Sequence, residues 1–491
     1  MQALPPFARA PVLGAMAAVA LALTLASPAY GYHRDELYFR MLPPQWGYVD
    51  QPPLTPLIAR ATTLLADETW ALHVPATLLM AVSVAVVALI TRELGGDRTA
   101  QTLCAWAYAT SLLPLEFARV LLTATVDLVV WPLVVLLVLR AVRRDEPRWW
   151  LAVGLVVGLS TYNKWLVSLL VLSLAAGIAM LGPRRLLRSP WVWGAGLLAL
   201  ALAAPNLAYQ ATNGWPQLDM GRALARHNAT EVRLLALPIL LVMLGLPLVP
   251  VWVVGLVALW RGRHGWGDVR FLAAALPVLL VLVVTGGSQF YYSLGLLTAV
   301  LAAGCVVVVR WWRDGPRSRA RWVAAGVVVN AATSAVIALP LIPVEHLGST
   351  PVPLFNQIAQ DQVGWEEYVA DVARVRDALP VEDRARAVVV TDNYGEAGAI
   401  DRYGAAHGID EVYSAQNELY LQGRPPEEAT LAVVVGTRIG ILRRIFRDCR
   451  IGGRLDHGLG VDSQEQGRPV TVCDLPRGGW EAVWPRLQHY D

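Results

Sequence analysis

Lysine is almost absent from this chain: Lys164 is the only one in 491 residues, and every other strong cation is an arginine. Charge of either sign is scarce as well, at 16% of residues against 55% hydrophobic, and mean hydropathy is +0.45. That balance excludes an ordinary water-soluble protein and puts the chain in a membrane. There is no zinc-type Cys/His spacing, no phosphate-binding glycine loop, no coiled coil and no internal repeat, which removes zinc modules, nucleotide-binding folds and solenoids. Of the four cysteines, Cys104 and Cys305 fall in apolar runs and read as small buried side chains, while Cys449 and Cys473 lie in a polar tail where a disulfide is permitted. The net charge of +3 points to no nucleic-acid partner, because its arginines serve mostly as topological signals.

What is present is a series of about eleven apolar runs of spanning character, near 10–30, 71–91, 99–117, 121–140, 149–163, 165–182, 191–209, 232–258, 271–286, 290–309 and 322–343. The first resembles a signal peptide, with Arg9 ahead of it and Ala-Ser-Pro-Ala behind, but its apolar part is too long and it reads as a retained helix. Arginine clusters at 143–148, 184–188, 261–270 and 310–321 fall on one face together with Arg9, Arg92 and Arg98, and mark that face as cytoplasmic. The opposite face of the cell membrane then receives the loop 31–70, the start of the Asp127 helix, the Lys164 turn, the loop 210–231 and everything after about 345. The sequence therefore predicts an α-helical polytopic membrane domain over 1–345 and a soluble extracytoplasmic domain over 346–491. In that tail, β-branched runs such as AVVVTD and LAVVVG alternate with helical patterns, as in a small α/β domain.

Asp35 and Glu36 stand where the first apolar run ends, and open the polar stretch HRDELYFRMLPPQWGYVDQPPLTP. Two adjacent carboxylates at a membrane edge are costly unless water or a ligand meets them. Tyr48 and Asp50 lie in WGYVDQPPL, where a stiff turn is the plain alternative to a substrate contact. Asp127 is the only charge in a long apolar helix and is functional, a helix cap, or both. Lys164, in STYNKW, is either a snorkelling lysine anchored by Trp165 or a point charge for a phosphate. Arg222 and Arg226 give one helix face of the 210–231 loop a basic character suited to phosphate or lipid headgroups. His227 beside them, paired with Asp50 or Glu36, is a donor of the kind that holds a divalent ion, but two or three such residues are too few to define a metal site. Tyr291 and Tyr292 begin a late span and are either belt residues or donor contacts. Asn393, Tyr394 and Glu396 follow a strand and open a helix, the place where α/β domains bind ligands; Gly395 and Gly398 equally suit a tight turn.

Over roughly residues 8–310 these strings, in this order, resemble glycosyltransferase family 39, the protein O-mannosyltransferase type of the GT-C superfamily. The matching segments are Asp35-Glu36, WGYVDQPPL, Asp127, TYNKW and QFYY, and NYGEAGAIDRYG resembles the soluble end of a bacterial branch. Gln51 and Gln289 depart from the histidine or basic residue that relatives often carry there. The resemblance implies a GT-C fold and an inverting hexosyl- or pentosyltransferase of the cell envelope. It implies a polyprenyl-phosphate sugar as donor and an acceptor hydroxyl on protein, lipid or glycan, with no nucleotide. In that chemistry Asp35 is the base, Glu36 or Asp127 supports an oxocarbenium-like transition state, and Lys164 meets the lipid phosphate with Arg222, Arg226, Tyr291 and Tyr292 near it. A polytopic transporter or lipid-carrier flippase with a soluble binding domain is the alternative, weakened because the polar residues gather at one face and the halves show no similarity. A membrane sensor leaves the first-loop acids and Lys164 unexplained.

Overall fold

The computed structural model describes residues 4–490. Two compact units emerge: the first runs to Ser27 and takes in Gln51–Thr55 and Trp70–Leu339, and the second comprises Pro28–Asp50, Pro56–Thr69 and the chain from Pro340 onward. Much of the 31–70 loop, which the sequence reading grouped with the membrane domain, is therefore folded with the tail.

In the first unit, six described helices are long and apolar enough to cross a membrane: Arg9–Ala26, Thr69–Glu93, Thr123–Arg143, Pro190–Thr212, Phe290–Arg313 and Ser318–Ala338. Side chains such as Leu197, Leu200, Trp193 and Val328 stay exposed on them, as lipid-facing residues do. Close helix pairs are made by small residues. A Cβ on Gly154 would strike the Ala195 carbonyl, and one on Gly255 would strike the backbone at Gly304, so these helices approach backbone to backbone.

The count of eleven spans is not reached by this measure, and the reasons are local. The run 99–117 is split into Arg98–Ala109 and Leu112–Ala118. The run 232–258 becomes a pair, Asn228–Val242 and Leu246–Trp260, bent by 74°. Gly245 at that bend has φ +97°, a left-handed backbone that glycine tolerates best. The runs around Lys164 become short helices, Trp149–Ser160 and Val167–Leu181. Broken backbone inside an apolar unit must find other partners, and one buried residue serves two breaks. Asn330 Nδ2 donates to the Thr110 carbonyl at 3.0 Å and to the Leu244 carbonyl at 3.1 Å. The Leu113 N–H then donates to Met243 O at 3.0 Å. Hydropathy registers only the apolar runs, so the breaks were invisible to it.

The second unit is built on a five-stranded sheet of β1 (Ala387–Thr391), β2 (Val412–Ser414), β3 (Leu431–Val435), β4 (Phe446–Arg454) and β5 (Pro469–Pro476), in the order β2-β1-β3-β5-β4. β1 pairs in parallel with β2 and β3, and β5 runs antiparallel between β3 and β4. Val390, Ala432, Val434, Leu442, Phe446, Trp480 and Trp484 form one buried cluster. Cys449 and Cys473 face each other across β4 and β5 and are joined by a disulfide. The helix Arg34–Met41 lies along Tyr394–Tyr403, where a Cβ on Gly398 would come within 2.7 Å of the Leu37 backbone.

Replacing Asn330 by leucine is expected to lower unfolding stability by ~2–4 kcal/mol, because two buried carbonyls lose their donor at once. Thermal unfolding of the purified protein in detergent measures this. Thr333→Val on the same helix, whose hydroxyl bonds only that helix's own carbonyls, is the control and should change little.

Candidate active site

Asp35 and Glu36 turn to different tasks because they sit at successive positions of the first turn of Arg34–Met41. Glu36 closes a capping box: its Oε2 accepts the His33 N–H at 2.9 Å, while His33 Nδ1 accepts the Asp35 N–H at 3.1 Å. Glu36 is fully buried, whereas Asp35 is partly exposed. The Asp35 carboxylate instead receives the Tyr394 hydroxyl, which donates to Oδ1 at 2.9 Å. Tyr38, one turn on, donates to Asp50 Oδ1 at 3.0 Å, and its ring lies 4.8 Å from that of Tyr394. Two neighbouring tyrosines thus each hold one of the acids that the sequence singled out. Arg34 completes the group: its guanidinium lies 4.9 Å from the Tyr394 ring centroid and 3.7 Å from Glu465.

Burial pushes the Asp50 carboxyl up to about 7, with Glu418 and Asp35 adding to the rise and the Tyr38 hydroxyl opposing it. Asp361 rises to about 6 through burial, opposed by Arg34 and His33. Tyr48 has a structural task, its hydroxyl donating to Pro43 O at 2.7 Å.

Asn393 caps the helix Tyr394–Tyr403: its Oδ1 accepts the Glu396 N–H at 2.9 Å, and Glu396 Oε2 accepts the Asp392 and Asn393 N–H groups at 3.0 and 3.3 Å. Asn393 Nδ2 donates to Glu465 Oε1 at 3.2 Å. Burial next to Glu465 and Asp392 raises the Glu396 carboxyl to about 8. Both residues therefore serve to set the position of Tyr394 between them in sequence.

The helical unit carries the other candidates. Asp127 is not the cap of Thr123–Arg143: the Thr125 hydroxyl accepts the Leu122 N–H at 3.1 Å and takes that role. Asp127 Oδ1 instead accepts Asn163 Nδ2 at 3.3 Å, and Asn163 Oδ1 accepts the Thr55 hydroxyl at 2.7 Å. Next to Asn163, the Lys164 ammonium lies 5.2 Å from the Tyr292 ring centroid and 5.9 Å from that of Tyr291, so it is gathered by aromatic faces within its unit. Asp127, Tyr291, Tyr292, Phe117 and Trp131 line a cavity of about 30 Å³, roomy enough for ordered water and too small for a sugar.

The basic face expected at 222–226 is partly neutralised, since Arg222 Nη1 donates to Asp219 at 2.8 Å and both side chains are exposed. The sequence reading passed over Asp219, although i,i+3 spacing marks such a pair. The His227 side chain lies outside the described residues. Among the described residues no group of three His, Cys, Asp or Glu side chains is placed to hold a metal ion, and no step is derived through one. Gln51 is buried, and Gln289 precedes the turn Phe290–Ser293 in extended backbone.

Tyr38, Asn163 and Arg34 were missed. Arg34 and Tyr38 are i and i+4 in RDELYFRM, so helical spacing places them on one face, and Asn163 adjoins the lone lysine. Their partners lie far off in sequence, and spacing cannot supply those.

Residues 50–209 match the family of dolichyl-phosphate-mannose-protein mannosyltransferases. The chain also has the fold of ArnT from Cupriavidus metallidurans. It matches the structure bound to undecaprenyl phosphate at a TM-score of 0.61 and 15% identity, over 93% of this chain and 97% of that one. The apo structure matches at 0.59 and 14%, over 93% and 96%. Among curated protein sequences, no significant match is found.

Asp50→Asn isolates the raised carboxyl, since asparagine Oδ1 can still accept from Tyr38. An acid held neutral in the folded state costs nothing below its unfolded value near 4 and an increasing amount as pH rises towards 7. The stability gain of Asp50→Asn over wild type should therefore grow between about pH 4 and 7 and level off above, capped at ~4 kcal/mol. Unfolding curves of both proteins at matched pH check it.

Proposed function

We propose that this protein is an inverting glycosyltransferase that moves a monosaccharide from a polyprenyl-phosphate donor to an acceptor hydroxyl outside the cytoplasm. The observation that carries the reading is that the family match, residues 50–209, contains Asp50, Asp127 and Lys164. The whole-chain GT-C fold supports it, and the ArnT structure of that fold has undecaprenyl phosphate bound. The transporter alternative draws no comparable support.

In the proposed reaction the Asp35 carboxylate accepts the proton of the acceptor hydroxyl as its oxygen attacks C1 of the sugar. The bond from C1 to the phosphate oxygen breaks on the opposite side of the ring, which inverts the anomeric centre. The departing polyprenyl phosphate gains negative charge, and the Lys164 ammonium offsets it. Tyr291 and Tyr292 hold that ammonium and present hydroxyls to the donor, while exposed Arg226 and the partly paired Arg222 attract lipid phosphate. Asp127, fixed by Asn163, supports positive charge developing on the sugar. Glu36 contributes by capping the helix that carries Asp35. Tyr48 and Asp50 shape the same stretch of chain. The acceptor class is a hydroxyl of a protein, lipid or glycan.

The same reading places the protein in the plasma membrane with the sheet unit outside the cytoplasm. Two observations support this: the arginine clusters of the short loops, and the Cys449–Cys473 disulfide, which suits an oxidising compartment.

Purified protein in nanodiscs, offered a panel of synthetic polyprenyl-phosphate hexoses and pentoses with whole-envelope acceptor extract, should release polyprenyl phosphate from at least one. Asp35→Asn should slow that release by about 10²–10⁴-fold. Lys164→Ala should impair donor binding and turnover together, with Lys164→Arg only a partial rescue because a fork replaces a point charge. No release from any donor, or full activity in Lys164→Arg, counts against the reading. In a separate experiment, single cysteines placed after residue 350 in whole cells should react with a membrane-impermeant thiol reagent; labelling only after lysis would put the tail in the cytoplasm.

A further inference from the structure

Tyr394 lies 359 residues from Asp35 in the chain, yet its hydroxyl donates to Asp35 Oδ1 at 2.9 Å. Its position is set by independent contacts. Its own N–H donates to Gln416 Oε1 at 2.6 Å. Its ring packs against the Arg34 guanidinium, 4.9 Å from the centroid, and against the Tyr38 ring at 4.8 Å. Asn393 and Glu396 cap the helix that it begins. A Cβ on Gly395 would come within 3.1 Å of Arg34 Cβ, and one on Gly398 within 2.7 Å of the Leu37 backbone. The absence of side chains there lets the helix lie close enough for a phenol to reach the carboxylate.

We propose that Tyr394 is the positioning residue for Asp35: by holding Oδ1, it turns Oδ2 towards the acceptor hydroxyl. This rests on Asp35 being the base, and it makes the C-terminal sheet unit part of the catalytic machinery. Asp35 is partly exposed on a helix whose other first-turn residues are buried; a carboxylate so placed can rotate about χ1 and χ2, and each misdirected rotamer is lost to catalysis. The hydroxyl restricts that rotation and leaves the proton-accepting oxygen without a hydrogen bond among the described residues. Nothing in this role requires Tyr394 to touch donor or acceptor.

The test uses the full-length protein in nanodiscs and whichever polyprenyl-phosphate sugar the wild type turns over. Tyr394→Phe keeps the ring contacts to Arg34 and Tyr38 and removes only the hydroxyl. It should lower kcat about 10- to 100-fold with KM for the donor within about 2-fold, and with unchanged thermal unfolding. Introduced into Asp35→Asn, it should add no further loss, since the group it positions is gone. Incorporating 4-aminophenylalanine at position 394 returns an N–H donor and should restore most of kcat, which a purely structural role does not predict. Wild-type kcat in Tyr394→Phe, a rise in KM with kcat intact, or an equal loss in the Asp35→Asn background each overturns the proposal. A fully active Asp35→Asn removes the base and this inference together, whereas an inactive Asp35→Asn beside an intact Tyr394→Phe removes this inference alone.

Discussion

Helix Arg34–Met41 and helix Tyr394–Tyr403 touch where Gly398 meets the backbone of Leu37, and no side chain larger than hydrogen fits between them. From that contact follow the Tyr394–Asp35 hydrogen bond, the Tyr38–Tyr394 ring pair and the seat of the Arg34 guanidinium. Each of these needs a heavy-atom distance within a few tenths of an ångström, and a single methyl at 398 would push the helices apart by more than that. The first polar loop of the chain and its distant tail are thereby one folded object.

Polar groups in the sheet unit are dense and unevenly compensated. Asp50, Asp361 and Glu396 are all held above the usual carboxylate range, burial being the first cause in each. Arg34, with Asp361 and Glu465 near it, is the main buried counter-charge. Such clusters do not arise from a need for stability, since apolar side chains would fill the space at less cost. Carboxyls raised in this way are more frequent at functional sites than elsewhere.

The helical unit meets a different constraint, that no backbone group be left alone among apolar side chains. Its breaks at Thr110 and Leu244 are tolerated because Asn330 supplies both missing donors. Two of its ionisable groups have polar or aromatic company: Asp127 has Asn163, and Lys164 has two tyrosine rings. Asn163, which holds Asp127, and Lys164 are consecutive in a turn between two short helices.

Composition alone determined that the chain is a membrane protein, because apolar runs and scarce charge have few other physical outcomes. Unusual residues were legible for the same reason: a lone lysine, a lone intramembrane aspartate and a paired acid stand out against an apolar background. The alternation of β-branched runs with helical patterns likewise announced the sheet of the tail. Which acid of the pair faces outward was not legible, since Asp35 and Glu36 differ only by the turn of a helix whose start is set by His33. Nor were the breaks in the spans, because a hydropathy window sums over Thr110 and Gly245 without sensing the backbone. The meeting of Tyr394 with Asp35 was decided by the tertiary structure alone: local patterns carry information over a few residues, and only packing at Gly398 spans the 359 between them.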